Sequence, residues 1–388
     1  MRILHVIPTV DPASGGPAEA VRQLCQIYRS GGHDVEVASL DAPELIGQFD
    51  FPVRVHGLGP GAGVYGYTAR AGRWFRDHIA RFDVVILNGI WQYDALAAYR
   101  VLRKTRTPYA VFPHGMLDPY FQRQFPLKHV KKLLYWHSFL RRILRDATAV
   151  LFTCEEEKLL ARNSFPGYKV RELVAPLGTF GPECSLPDAA EQLLAQWPKL
   201  RGKRVAGTMG RIHPKKGTDV LIEAFAGTLA KDASWHLLIA GPDQTGWQKE
   251  LQALATRLGV AERITWTGML KGPLKWGVFA ASEIFVLPSH QENFGIVVAE
   301  AMAASTPVIL SNKVNIWREV QSRGAGLICE DTVASTAAAM ERWAAMSSEE
   351  TAAMRAQSKQ CFDELFNYEV TARKALEIVE QLAVRQKP

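Results

Sequence analysis

The chain has 388 residues with 46 Lys+Arg against 39 Asp+Glu, a formal net charge of +7, and is 47% hydrophobic and 22% charged. At roughly 100–200 residues per domain this length suggests two or three domains, with two favoured, and the ordinary globular composition argues against a disordered chain. No apolar run approaches the roughly 20 residues of a membrane-spanning helix, and five scattered cysteines exclude a disulfide framework or a C-x-x-C metal site and suit a reducing cytoplasm.

Met1–Pro8 lacks the apolar stretch and cleavage site of a secretion signal. It reads as an opening strand, Ile3–Ile7. Further strands are predicted at Val35–Ser39, Val84–Leu87, Tyr109–Phe112 and Ala149–Phe152, then at Arg204–Met209, His236–Ala240, Ile264–Thr267, Ile284–Leu287 and Val308–Leu310. Several are short, continuous and rich in Val and Ile, the pattern of parallel strands covered on both faces. Helical patterns lie between them, at Ala18–Tyr28, Asp94–Arg103, Thr218–Leu229 and Gly295–Ala304, and Thr351–Gln386 is helical without a further strand. The alternation predicts an α/β protein of two doubly wound, Rossmann-like domains, 1–180 and 201–365. The Gly- and Pro-rich stretch 181–200 is read as the linker. A cleft between the domains, at the carboxyl ends of both sheets, is the expected ligand site.

Five segments carry candidate chemistry. Ser14-Gly15-Gly16-Pro17 follows the first strand and precedes a helix. Its glycines let backbone N–H groups approach an anion, although a plain turn fits equally well. Phe112-Pro113-His114-Gly115 puts His114 at a strand's carboxyl end, where it either faces a ligand or serves the structure. Gly210-Arg211-Ile212-His213-Pro214-Lys215-Lys216-Gly217 places two cations at a strand-to-helix junction. The Arg211 fork and the Lys216 point charge suit a diphosphate, or else a solvated surface. In Leu287–Met302, Glu292 ends a strand and Glu300 lies inside an apolar helix. A buried carboxylate needs a partner, which sugar or ribose hydroxyls would supply; the alternative is a helix-edge Glu turned to water.

The fifth segment explains the net charge. Residues 1–180 hold 23 basic and 16 acidic side chains, and the remainder 23 of each. Pro119–Arg145 alone holds Arg123, Lys128, Lys131, Lys132, Arg141, Arg142 and Arg145 with no carboxylate. Leu127, Val130, Leu133, Leu134, Leu140, Ile143 and Leu144 fall mostly on one helical face, with Tyr135, Trp136 and Phe139 interleaved. A basic amphipathic helix of this kind suits an anionic membrane surface, an acidic partner or a diphosphate-bearing acceptor; a core helix with a cationic back is the other reading. The confinement of the charge argues against a nucleic-acid binder.

In this order and spacing, the Gly-Gly loop, the strand-end His, the G-R-x-x-P-x-K-G segment and the E-x7-E helix resemble the retaining glycosyltransferases of family 4 (group 1), with a GT-B fold. The resemblance covers the whole chain, and His114–Trp136 is similar to a subgroup that makes bacterial cell-surface polysaccharides. It implies that Gly15 and Gly16 lie over the donor diphosphate and sugar, that Arg211 and Lys216 hold the diphosphate, and that His114 sits near the anomeric carbon. Glu292, with backbone groups from Asn293, Phe294, Gly295 and Ile296, would contact the hexose and phosphate, Glu300 the ribose, and the turn near Met269 the nucleobase. A C-terminal helix over about 366–388 would pack back on the first domain. One departure is Asn88-Gly89-Ile90-Trp91, where relatives often carry His-Gly-x-Trp; Asn88 and Trp91 become candidates for the acceptor side.

The resemblance thus implies a retaining hexosyltransferase. Its donor would be a UDP- or GDP-sugar, and its acceptor a saccharide or a polyprenyl-diphosphate-linked glycan of the cell surface, as in lipopolysaccharide. The protein would be cytoplasmic and peripheral on the inner membrane face. The chain has no D-x-D, so no metal or other cofactor is expected; cations and helix N-termini would hold the diphosphate. A nucleotide-sugar epimerase or hydrolase, a sugar phosphorylase, and a non-catalytic membrane or partner-binding protein are the alternatives.

Overall fold

The computed structural model describes residues 1–124 and 126–384. They fall into two compact units: unit 1 comprises Met1–Leu177 with Thr371–Pro388, and unit 2 comprises Gly178–Val370. The last four residues of the helix expected over 366–388 lie outside the described residues.

Unit 1 holds seven strands: β1 (Arg2–Ile7), β2 (Asp34–Ser39), β3 (Arg54–Gly57), β4 (Val84–Asn88), β5 (Tyr109–Phe112), β6 (Ala149–Phe152) and β7 (Glu172–Val174). All pair in parallel, in the order β3-β2-β1-β4-β5-β6-β7. Strands β4, β5 and β6 are buried at every position, as expected of strands covered on both faces. Leu4, Val6, Val85, Leu87, Val111 and Val150 form the centre of the larger core. The chain winds outward in opposite directions from β1 and β4, so the switch point lies between their carboxyl ends.

Unit 2 repeats the plan with β8 (Arg204–Met209), β9 (Trp235–Ala240), β10 (Ile264–Gly268), β11 (Ile284–Leu287), β12 (Val308–Ser311) and β13 (Gly326–Cys329). The order is β10-β9-β8-β11-β12-β13, again all parallel, with the switch point between β8 and β11. The C-terminal helix Tyr368–Val384 begins in unit 2, but from Thr371 it belongs to unit 1.

Three differences from the sequence reading have physical causes. The edge strands β3 and β7 and the outer strand β13 are only partly buried and carry short, mixed sequences, so no apolar run announces them. The stretch read as a linker, 181–200, contains the helix Leu186–Gln196 and belongs to unit 2. Its Pro187 sits in the first turn, where a missing N–H costs nothing, and Ser185 caps that turn through the Asp188 N–H. Leu193 then packs into a small core with Leu200, Val205, Leu238 and Val278.

The basic segment is the third. After the short helix Tyr120–Gln124 it holds two helices, Pro126–Tyr135 and Arg141–Arg145, joined by a π-helical turn at Trp136–Leu140. A π turn inserts an extra residue and rotates the face that follows. The single apolar face expected from Leu127 to Leu144 is therefore split. Trp136, Leu140, Ile143 and Leu144 are buried, whereas Leu127 is 84%, Val130 55% and Leu134 67% exposed. Leu133 packs partly on the core.

Candidate functional site

In unit 2, the loops leaving β8 and β11 meet at the switch point. Gly210–Gly217 ends in a 3₁₀ turn, Pro214–Lys216, and Gly217 starts the helix Thr218–Gly227 in the left-handed region (φ 66°). A Cβ at Gly217 would lie 2.2 Å from the Pro288 carbonyl oxygen, so only glycine lets the two loops approach this closely. The His290 N–H donates to the Lys215 carbonyl at 2.8 Å, and Lys215 Nζ donates to Gln291 Oε1 at 3.1 Å. One position further along each loop, Lys216 Nζ pairs with Glu292 Oε2. Burial, with the nearby charges of Lys215 and Arg211, lowers the Lys216 pKa to about 7.

Glu292 is also fixed by its backbone. Its N–H donates to Lys313 O at 2.9 Å, and its carbonyl accepts from Asn315 N at 3.0 Å. Asn293, Phe294 and Gly295 (φ 74°) then lead into the helix Ile296–Ala303, whose start has no side-chain cap. Its first-turn N–H groups are suited to an anion. Phe294 is buried and meets Phe366 edge-on at 5.7 Å. Arg211 is exposed with no side-chain partner among the described residues. An exposed cation, a largely buried ion pair and an uncapped helix start thus lie at the carboxyl ends of the two central strands. Their chemistry suits a ligand with two phosphates and a polyol.

Glu300 lies on the helix Ile296–Ala303 and is 7% exposed. The sequence offered only ligand hydroxyls as its partner; the structure supplies Lys275 Nζ at 2.6 Å, from the helix Gly272–Ala281. That pair meets the demand that burial makes, so Glu300's ribose role rests on the resemblance. Met269, after β10, is 64% exposed.

In unit 1, Asp11 caps the short turn Pro12–Ser14, and Gly15 (φ 100°, ψ −150°) precedes the helix Gly16–Ser30. That conformation is open to glycine alone, and the helix start has no side-chain cap. Open space surrounds the position a Cβ on Gly16 would take. His114, two residues past β5, adopts a positive φ of 51° and stacks on Phe112 at 4.3 Å. Its Nε2 lies 3.1 Å from Asn88 Oδ1 at the end of β4. Burial lowers the His114 pKa to about 3, so the ring is neutral.

Sequence reasoning missed the residue that holds this turn, Glu157. It is 3% exposed. Its carboxylate accepts from Gly115 N at 2.6 Å, Thr153 N at 2.7 Å and Thr153 Oγ1 at 2.8 Å. The run Glu155-Glu156-Glu157 opens a helix and reads as ordinary dipole compensation; only the three-dimensional register turns one of the three inward.

Trp91 packs against Tyr135 and Phe165, at 6.0 and 5.7 Å, and Lys132 Nζ lies 4.6 Å above its ring. Burial and Lys128 lower the Lys132 pKa. Arg145 pairs with Asp146 at 2.9 Å. Lys132 is therefore partly buried against Trp91, whereas Lys128, Lys131, Arg141, Arg142 and the Asp146-paired Arg145 are exposed. The cationic face is narrower by Lys132 than the sequence suggested.

The family model for glycosyl transferases group 1 matches residues 190–360, and that for the glycosyl transferase 4-like domain matches residues 15–178. The chain belongs to the group 1 glycosyltransferases. It is 34% identical over 148 residues to the D-inositol 3-phosphate glycosyltransferase of Rhodococcus opacus, 37% of this chain and 32% of that protein. The aligned stretch thus spans about a third of the length of the curated relatives it matches. Sucrose-phosphate synthase from Thermosynechococcus elongatus superposes with a TM-score of 0.79 at 22% identity, covering 98% of both chains. Anabaena HepE in complex with UDP and glucose superposes with a TM-score of 0.77 at 18% identity, covering 98% of this chain and all of that one. The two parallel-sheet units are those of the GT-B fold.

Proposed function

We propose that this protein is a retaining glycosyltransferase that moves a hexose from a nucleoside-diphosphate sugar to a saccharide or lipid-linked acceptor without a metal ion. The observation that carries this reading is the Lys216–Glu292 pair beside Arg211 and the uncapped helix start at Gly295. Cleaving the bond between the anomeric carbon and the diphosphate oxygen leaves positive charge on the sugar and negative charge on the leaving group. Arg211, Lys216 and the first-turn N–H groups stabilise that leaving group electrostatically, an effect worth several kcal/mol. Lys216 releases Glu292 toward the sugar hydroxyls as it takes up phosphate.

Glu292 is paired with a cation and Glu300 with another, so neither carboxylate is assigned as a nucleophile. The reading is a front-face displacement in which the leaving phosphate oxygen takes the acceptor's proton. Gly15, Gly16 and His114 are assigned to the donor, and Trp91 to the acceptor, as the resemblance implies. Complexes of HepE with UDP, glucose and UDP-glucose, on the same fold, support a nucleotide-sugar donor. The test is a thermal-shift screen of UDP-, GDP- and ADP-sugars. The stabilising donor is then assayed with a polyprenyl-diphosphate-linked acceptor, and the product's anomeric configuration is read by NMR. An inverted linkage overturns the retaining mechanism; turnover without acceptor identifies an epimerase or hydrolase.

The exposed stripe Leu127, Val130 and Leu134, spaced i, i+3 and i+7 beside Lys128 and Lys131, supports a second element of the reading. We assign it to an anionic bilayer, with the apolar side chains inserted and the cations, including Arg141 and Arg142, at the headgroups. The protein is then peripheral on the inner membrane face, where a lipid-linked acceptor of surface polysaccharide resides.

A further inference from the structure

Three polar side chains from the neighbouring strands β5, β4 and β1 and the turn after β5 are linked in series: His114, Asn88 and His5. In the β1–β4 register His5 pairs with Ile86, so Asn88, two residues on, projects from the same face of the sheet. Asn88 and His5 are buried. Asn88 Nδ2 lies 3.1 Å from Ile86 O, 3.3 Å from Val6 O and 3.1 Å from His5 Nδ1.

Two of those partners are backbone carbonyls, which only accept. They fix the amide's orientation, with NH₂ toward the strands and Oδ1 away from them. Oδ1 only accepts as well, and it lies 3.1 Å from His114 Nε2. That nitrogen must therefore carry the hydrogen. The ring is neutral and holds one N–H, so Nδ1 keeps its lone pair. No described residue hydrogen-bonds Nδ1. The Phe112 stack and the Glu157 hold on Gly115 fix the ring and its turn.

We infer that Asn88 is a positioning residue that sets His114 in the Nε2–H tautomer, so that His114 meets its ligand through Nδ1 as a hydrogen-bond acceptor for a hydroxyl. The assignment of that hydroxyl to a sugar rests on the proposed glycosyltransferase function; the tautomer does not. A phosphate oxygen, itself an acceptor, is a poor partner for Nδ1. The inference also gives Asn88 a role at the position where the family resemblance fails.

The test is long-range ¹H–¹⁵N NMR on the uniformly ¹⁵N-labelled full chain at neutral pH, without ligand. The expected wild-type spectrum shows a single His114 tautomer with Nε2 protonated and Nδ1 imine-like. A protonated Nδ1 overturns the inference and needs no variant to detect. In Asn88→Ala, the His114 ¹⁵N shifts move to the averaged values of a tautomer mixture; unchanged shifts overturn the inference. With the donor that the screen identifies, Asn88→Ala lowers kcat at least about tenfold with little change in donor KM, and the Asn88→Ala/His114→Ala double variant is no worse than His114→Ala. Additive losses remove Asn88 from His114's function. If no sugar is transferred at all, the glycosyltransferase reading fails while the NMR result still decides the tautomer.

Discussion

Lys216 and Glu292, 76 positions apart in sequence, form a largely buried ion pair where β8 and β11 end at the switch point of unit 2. A buried pair is weak evidence for stability, because desolvation offsets most of the attraction. Its place at the carboxyl ends of the two central strands suits the donor role proposed for it, in which a bound diphosphate would separate the two partners.

Lys216→Ala is expected to lower turnover by at least about 10²-fold, since it removes a preorganised cation from the leaving group. Glu292→Gln keeps the diphosphate cations and is expected to retain UDP or GDP binding within a few-fold while losing turnover. Steady-state kinetics on the donor and calorimetry with the free nucleotide separate the two effects. Near-normal turnover of Lys216→Ala would remove that residue from the diphosphate site.

With the Lys216 pKa lowered to about 7, the proposed donor binding is expected to depend on pH. The sign follows from linkage. In the free protein, Lys216 loses its proton as the pH rises through about 7. A diphosphate beside it restores the charged form and returns the pKa toward the ordinary lysine range. Binding therefore takes up a proton above pH 7, and nucleotide affinity falls toward about tenfold per pH unit over that range. Calorimetry at pH 8 in buffers of different ionisation enthalpy measures the uptake directly. Lys216→Met is expected to abolish it.

Most of the layout was legible before the structure. Ten strands read as short runs, several of them continuous and rich in Val and Ile because parallel strands are buried on both sides, and the loops after β1, β5, β8 and β11 announced themselves through glycines, the last three beside charged or titratable groups. The partners were not legible. Lys275 beside Glu300, Glu157 beneath Gly115 and His5 behind Asn88 lie 25, 42 and 83 positions from the residues they contact, and no local pattern links them. The linker at 181–200 was misread because proline marks a first helical turn as readily as a break. The single apolar face of 127–144 was misread because α-periodicity carries no sign of a π turn.

Glu157 provides a stability prediction that this pairing makes specific. Glu157→Ala removes the carboxylate that accepts from Gly115 N, Thr153 N and Thr153 Oγ1 in a buried setting. At about 1–3 kcal/mol for each orphaned group, partly relieved by water, a net loss of about 3 kcal/mol is expected. In a unit of this size that corresponds to a Tm lower by roughly 6–12 °C. Differential scanning calorimetry checks it. A Tm within a degree or two of wild type would show that the His114–Gly115 turn is held by other means.

The split amphipathic helix makes the membrane assignment testable in two independent parts. Leu127, Val130 and Leu134 supply apolar area, and Lys131, Arg141 and Arg142 supply charge. Each cation near an anionic surface contributes about 1 kcal/mol, so neutralising the three to Gln is expected to weaken binding to anionic vesicles by about 10²-fold at low salt, with a smaller effect as salt rises. Replacing Leu127, Val130 and Leu134 by Ser removes the inserted face and is expected to weaken binding at every salt concentration. All six side chains are exposed, so both triple variants should keep the wild-type Tm. Flotation with vesicles that contain or lack anionic lipid reads both parts. Equal flotation on neutral and anionic vesicles would remove the charge component. Unchanged flotation of the apolar variant would show that the stripe is not inserted. Loss of binding in the charge variant alone would then describe a purely electrostatic contact.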